Sequence, residues 1–253
     1  MTQLSNKLSQ VAAYWNEHPC NLKPDAEEIR YRDEPDIHAF AQFSRYRGKR
    51  VLEIGVGIGI DYLQWLRSGA LASGIDISEV SLEHARDKAE SEGLTTLGLF
   101  LLNGEGLPYK DNTFDLIYSW GVIHHSEYPE KIISEAIRVT RGECKFMVYN
   151  RHSILAYYKY LRYGLFTGKP FKSITKIIRD QQESSGTRAF TKRELLDILG
   201  SHRITGLSIN APVQPRDFFA GQSWLIRYPA YVAAFLMGLN NAGWFMTVRF
   251  RKG

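Results

Sequence analysis

The sequence is poor in cysteine: Cys20 and Cys144 are the only two, too few for a disulfide framework or for a zinc-binding thiolate cluster. The fold must then be held by a packed core, and a reducing compartment, the cytoplasm, is the expected location. No grouping of histidines and carboxylates has clear ligand spacing, so no metal is required. Internal repeats and low-complexity tracts are absent as well. The opening segment, Met1 to Gln10, is polar and lacks the apolar run of a secretory signal. Tyr228 to Val248 is uncharged and about as long as the ~20 residues a membrane-spanning helix needs. It is interrupted by Pro229, Gly238, Asn240, Asn241 and Gly243, which is turn chemistry, so a short helix, a turn and a final buried strand account for it better than a span.

Acidic residues are scarce in one part of the chain. Residues 1–150 carry 16 Lys and Arg against 22 Asp and Glu, a net −6, whereas residues 151–253 carry 16 against 5, a net +11. The overall +5 therefore joins an acidic first part to a basic second part. Such a split is what a surface facing something anionic would show: a phosphorylated or carboxylated small molecule, a membrane surface or nucleic acid. A solvated basic face is the plainer reading. No recognised nucleic-acid module accompanies the charge, which argues against an RNA or DNA partner.

What is present is ordinary globular composition, 44% apolar and aromatic and 23% charged over 253 residues, enough for one sizeable α/β domain with appendages. Leu4, Leu8, Val11, Ala12 and Trp15 space out a short amphipathic helix. A second helix is expected from Pro35 through Ile37, Phe40 and Phe43 until Gly48. Strands then alternate with helices: strands at 51–54, 72–75, 97–102, 114–119 and 144–149, helices at 60–66, 79–90 and 130–139. This alternation implies right-handed crossovers and a mostly parallel sheet covered on both faces. From Arg151 to Phe190 the rhythm breaks. Thr191 and Glu194 then form a capping box, and strands at 203–210 and 244–250 close the sheet. Four regions follow: a helical cap (1–48), a core (49–150), an inserted lid (151–190) and a segment completing the sheet (191–253).

The decisive stretch is Glu53-Ile54-Gly55-Val56-Gly57-Ile58-Gly59, where a strand gives way to a helix. Glycines at alternate positions permit a tight turn and close approach of a ligand to free helix N–H groups. The dinucleotide fingerprint would need a small residue at position 60, where Ile60 stands, so NAD and FAD are disfavoured. Asp76 lies about twenty residues on, at the end of the next strand, where a carboxylate can accept from both hydroxyls of a ribose.

With Gly74-Ile75-Asp76-Ile77-Ser78, Asn103-Gly104-Glu105-Gly106-Leu107-Pro108-Tyr109, Phe114-Asp115-Leu116-Ile117-Tyr118-Ser119-Trp120, His124-His125 and Arg138-Val139, the segment 50–150 resembles the class I S-adenosylmethionine-dependent methyltransferases of small-molecule type. The resemblance implies a Rossmann-like fold with a mostly parallel seven-stranded sheet, and S-adenosyl-L-methionine as cofactor. It implies that Glu53, Gly55, Gly57 and Gly59 hold the methionine end, that Asp76 binds the ribose and that Ile77 packs on the adenine. It further implies that Asn103, with Gly104 and Glu105, sits at the adenine amino group and that the backbone at Ser119 and Trp120 reaches the cofactor's amino group. The family commonly has Asp where this chain has Asn103, a departure that leaves a carbonyl oxygen to accept. Arg141-Gly142-Glu143 replaces the usual Pro-Gly-Gly.

His124 and His125 follow the fourth strand at the carboxyl edge of the sheet, where a base could deprotonate a hydroxyl or an ammonium. Tyr14, Trp15 and His18, together with residues 152–166, are expected as lids over the pocket. Lys169, Lys172, Lys176 and Arg179 would line one helix face. The expected function is methyl transfer to oxygen or nitrogen of a small molecule that the basic second part suggests is anionic. The alternatives are a lipid-acting enzyme with peripheral membrane contact, and an adenosyl-binding protein without turnover. The oligomeric state is not legible in the sequence.

Overall fold

Short apolar runs and amphipathic segments assemble into one seven-stranded sheet in the order β3-β2-β1-β4-β5-β7-β6. The computed structural model describes residues 6–19, 22–181, 187–218 and 224–253. Leu4 and Cys20 lie outside the described residues. The strands are β1 (Arg50–Ile54), β2 (Leu71–Asp76), β3 (Gly98–Leu101), β4 (Phe114–Trp120), β5 (Thr140–Tyr149), β6 (Ile204–Asn210) and β7 (Phe245–Lys252). β1 to β5 run parallel, and β7 inserts antiparallel between β5 and β6. Strand order reverses between β1 and β4, so a crevice opens beyond their carboxyl ends, which is where open α/β sheets bind ligands.

The helices cover both faces: α1 (Asn6–Glu17), α2 (Ala26–Asp33), α3 (Ile37–Ala41), α4 (Ile60–Arg67), α5 (Glu79–Ser91), α6 (Pro129–Val139), α7 (Ile154–Tyr163), α8 (Ile174–Asp180), α9 (Lys192–Leu199) and α10 (Trp224–Met237). One face buries Val51, Tyr62, Trp65, Leu116 and Tyr118, the other Leu52, Ile117, Ile133, Phe146 and Val248. Strands buried on both faces explain why β1 and β4 read as near-continuous apolar runs. Ser78 caps α5 by accepting from the Ser81 N–H, and the Thr191–Glu194 capping box opens α9 as expected.

Three elements differ from the expectation. α2 was not expected, because its sequence AEEIRYRD has almost no apolar stripe; the Arg30–Asp61 ion pair and the packing of Ala26 and Tyr31 on Ile58 and Ile60 hold it. The helix expected from Pro35 to Gly48 is only α3 followed by a 3-10 turn, broken at Gln42, whose φ of 59° is left-handed. The stripe Lys169, Lys172, Lys176, Arg179 does not share a helix, since α8 begins at Ile174, and Lys172 pairs with Asp180 at 2.5 Å. Tyr228 to Val248 is the expected helix, turn and strand, and no helix among the described residues is long and apolar enough to cross a membrane.

Candidate functional site

A cavity of about 600 Å³ opens at the carboxyl ends of β1, β2 and β4. Of the residues expected to bind cofactor, Glu53, Gly55, Gly57, Asp76, Ile77, Asn103, Gly104, Glu105 and Trp120 line it; Gly59 and Ser119 do not. Gly59 instead caps α4 at φ 89°, and a Cβ there would come within 2.8 Å of Ala85, so its role is close packing of helix on helix. Ser119 donates its hydroxyl to the Ile54 carbonyl at 2.9 Å and ties β4 to β1 beneath the cavity.

Each wall of the cofactor end has a local cause. Gly57, at φ 53°, has open space where a Cβ would point, leaving the loop bare toward the cavity. Its N–H donates to Asp76 Oδ2 at 2.8 Å, while Asp76 Oδ1 accepts from the Ser78 N–H at 2.9 Å. Burial raises the Asp76 pKa and these N–H groups oppose the rise. A carboxylate offers about four acceptor positions, so two remain for a diol. Asn103 turns its Oδ1 to the Glu105 N–H at 3.1 Å, leaving one lone pair on that oxygen for a ligand amino group. Glu105 in turn accepts from the Ser126 hydroxyl at 2.6 Å.

Glu53 is 3% exposed, and its Oε2 has no hydrogen-bond partner among the described residues. Burial drives its pKa well above the usual carboxylate range, Asp61 adds to the rise and Arg30 opposes it. An orphaned buried carboxylate oxygen facing a cavity is what the ammonium of a bound amino acid would satisfy, and that cation would favour the charged form again. The bare loop at Gly57, the carboxylate positions on Asp76 and the orphaned oxygen of Glu53 therefore suit the two ends of S-adenosylmethionine.

A network that sequence reasoning did not find closes the methionine end. Asp61, 2% exposed at the start of α4, accepts two bonds from Arg30 of α2, at 2.6 and 3.0 Å, one from Tyr31 at 3.1 Å and one from Tyr118 at 3.0 Å. Trp120 donates its indole N–H to Glu34, so the residues just after α2 also reach β4. The only sequence signal was the clustering of charge in a segment without apolar periodicity.

The other end of the cavity is aromatic. Trp15, Trp120, Tyr149 and Phe245 line it, with Tyr149 stacked on Phe245 at 5.9 Å between ring centres. The expected lid residues Tyr14, Trp15 and His18 also line it, but no described residue from 151 to 190 does. The described part of the insert expected as a lid does not line the cavity: α7 and α8 pack against each other, and Ala156, Ile178 and Ala189 join the core cluster with Trp244 and Phe245. The two histidines are separated in the same way. His125 lines the cavity, with Nδ1 3.0 Å from the Thr187 hydroxyl and its ring edge-on to Trp15. His124 is fully buried against Tyr149, its ring nitrogens without partners among the described residues, and it does not reach the cavity. Burial depresses both pKa values, that of His125 to about 4.

Arg216, also unforeseen, enters this end from a 3-10 turn at Pro215–Phe218. Its guanidinium lies 4.3 Å over the Phe245 ring, donates to the Asp33 carbonyl at 2.8 Å and stands 3.4 Å from Glu34, but its buried Nε has no partner among the described residues.

Fold and cavity together define a Rossmann-like class I methyltransferase architecture. Residues 52–148 match the model of the methyltransferase domain family. The chain is 34% identical over 105 residues to a phosphatidylethanolamine N-methyltransferase from Cereibacter sphaeroides, covering 41% of this chain and 51% of that protein. It is 28% identical over 150 residues to a ubiquinone biosynthesis O-methyltransferase from Nitrosococcus oceani, covering 57% and 61%. It thus spans little more than half the length of these relatives. Its fold is similar to that of magnesium protoporphyrin IX methyltransferase from Synechocystis PCC 6803, solved with S-adenosylhomocysteine, with a TM-score of 0.64 at 15% identity over 97% of this chain and 99% of that one.

Proposed function

We propose that the protein transfers a methyl group from S-adenosylmethionine to an oxygen or nitrogen of an anionic small molecule. The observation that carries this reading is the shared cavity. Glu53, Gly57 and Asp76 line it, together with His125, Trp120 and Arg216, whose Nε has no partner among the described residues. When bound, the cofactor supplies a methyl group already activated on a sulfonium. What remains for the protein is alignment and exclusion of water. Asp76 and the Gly57 loop hold the nucleoside end, Asn103 meets the adenine, and Glu53 meets the ammonium. Trp15, Trp120, Tyr149 and Phe245 wall the acceptor and keep water out.

His125 is neutral at physiological pH and can accept a hydrogen bond, and during transfer a proton, from the acceptor's O–H or N–H. With a pKa near 4 it is a weak base, so it serves acceptors that lose their proton easily or late. Its orientation is fixed by Thr187. His124 is left out of this role by its burial.

The lipid relative and the quinone relative show that this family works on unlike acceptors, so substrate class must be argued from the acceptor end alone. There Arg216 offers a buried N–H to a carboxylate or phenolate. The test is S-adenosylhomocysteine release over a panel of carboxylated aromatic acceptors and their neutral methyl esters or amides. Arg216→Ala should raise KM for the charged acceptors by about tenfold or more, the size of one lost charge-assisted bond, and leave the neutral analogues nearly unchanged. Turnover indifferent to acceptor charge and to Arg216 would contradict the anionic reading.

A further inference from the structure

The C-terminal helix α10 is amphipathic the wrong way round for a helix that only packs on its own domain. Its small residues Ala230 and Ala234 face inward, buried against Ile154 of α7. Its large residues face out: Trp224, Leu225, Tyr228, Tyr231, Phe235 and Leu236 are all exposed, Phe235 by 76% and Leu236 by 79%. At 100° per residue these six fall within an arc of about 140°, opposite the alanines. Isolated exposed apolar residues are ordinary, but six on one helix face form a contiguous patch of the kind that marks a partner surface.

Composition around the patch says what that partner is. Residues 151–180, which include α7 and α8, hold seven Lys and Arg against one Asp, a net +6, and α10 itself carries Arg227 and no acid. α7 packs against α10 and against the turn that bears Phe166, which is 79% exposed. A second copy docking face to face would bring this positive charge against itself. An anionic lipid surface attracts it. Trp224 and Tyr231 at one edge of the apolar face, with Arg227 next to them on the helix, also match the polarity gradient of a bilayer interface. At 14 residues α10 is about 21 Å long, short of the ~30 Å hydrocarbon thickness, so it suits lying in the interface and not crossing it.

We infer that the outward face of α10, with the basic segment 151–180 beside it, docks the protein peripherally on an anionic membrane surface. The placement is independent of which acceptor is methylated. It does bear on delivery, because Phe218 of the turn that carries Arg216 stacks on Tyr231 of α10, 3.9 Å between ring centres, linking the docking helix to the acceptor end of the cavity.

The test is flotation of the full chain with vesicles of phosphatidylcholine alone and of phosphatidylcholine with phosphatidylglycerol, beside sedimentation velocity without lipid. The expected result is recovery with the anionic vesicles roughly tenfold above that with neutral ones, falling as salt is raised. The double variant Phe235→Ser/Leu236→Ser should abolish it, and Lys176→Glu/Arg179→Glu should reduce it. All variants should keep the wild-type circular dichroism and S-adenosylhomocysteine affinity, since these side chains lie outside the cavity. Flotation absent in the wild type, or unaffected by the Ser/Ser variant, overturns the inference. So does a dimer in solution that the Ser/Ser variant dissociates, because the face would then be an interface between copies.

Discussion

At the scale of single residues, the site combines groups whose identity a sequence announces with groups whose environment it hides. Asp76, Gly57 and Asn103 were legible because a loop of fixed spacing between a strand and a helix leaves little freedom in where they sit. His125 and His124 were equally legible as a pair but not as individuals. One residue's difference in position turns one ring into the cavity beside Thr187 and the other under Tyr149. Arg216 was illegible because its partners, Asp33, Glu34 and Phe245, come from distant parts of the chain.

The histidine environment has a pH consequence whose direction follows from linkage. Burial lowers the His125 pKa from 6.5 to about 4, so the unfolded chain binds the proton more tightly. The stability of the neutral ring is present in full above pH 6.5 and is lost as pH falls toward 4, on the order of 3 kcal/mol for this one group. His124, shifted the same way, adds to the slope. Urea midpoints should therefore drop between pH 7 and pH 5 in the wild type. In His125→Asn the drop should be shallower, and an unchanged slope would mean that the ring is hydrated in solution.

At the scale of elements, sequence pattern succeeded where apolar periodicity drives folding and failed where ion pairs do. β1, β4 and α6 bury apolar stripes and fell within a few residues of their expected bounds. α2 has no such stripe; Arg30 and Tyr31 anchor it to the buried Asp61, and Arg30 and Glu34 then line the cavity. Asp61→Asn should accordingly destabilise the protein by about 3 kcal/mol, because removing one partner leaves the other charge buried and uncompensated. Urea denaturation measures the loss. Hydrogen exchange should show it concentrated in α2, and uniform loss of protection would contradict the anchoring role. The insert at 151–190 misled for a different reason. Aromatic and basic composition is equally compatible with a pocket wall and with an outer surface, and only the packing of α7 on α10 decides between them.

At the scale of the whole molecule, the charge asymmetry in the sequence becomes a division of labour. The acidic first part builds the crevice at the strand reversal between β1 and β4. The basic second part supplies the β7–β6 edge, Arg216 and the outward face of α10. The two parts meet in the cavity wall, where Phe245 from β7 stacks beside Tyr149 from β5. Fold class and cofactor could be read from the first part alone. The aromatic part of the cavity could not, because its lining is gathered from α1, β4, β5, the Pro215–Phe218 turn and β7.

The central claim is that this cavity binds an adenosyl sulfonium and not a dinucleotide. Calorimetric titration of the purified chain with S-adenosylhomocysteine, beside NADH and beside the Asp76→Ala variant, tests it most directly. The account predicts one-to-one binding in the micromolar range, at least about tenfold weaker in Asp76→Ala, with no heat from NADH, since the lost carboxylate bonds to the ribose are charge-assisted. An absence of S-adenosylhomocysteine binding, or binding of NADH in its place, would contradict it.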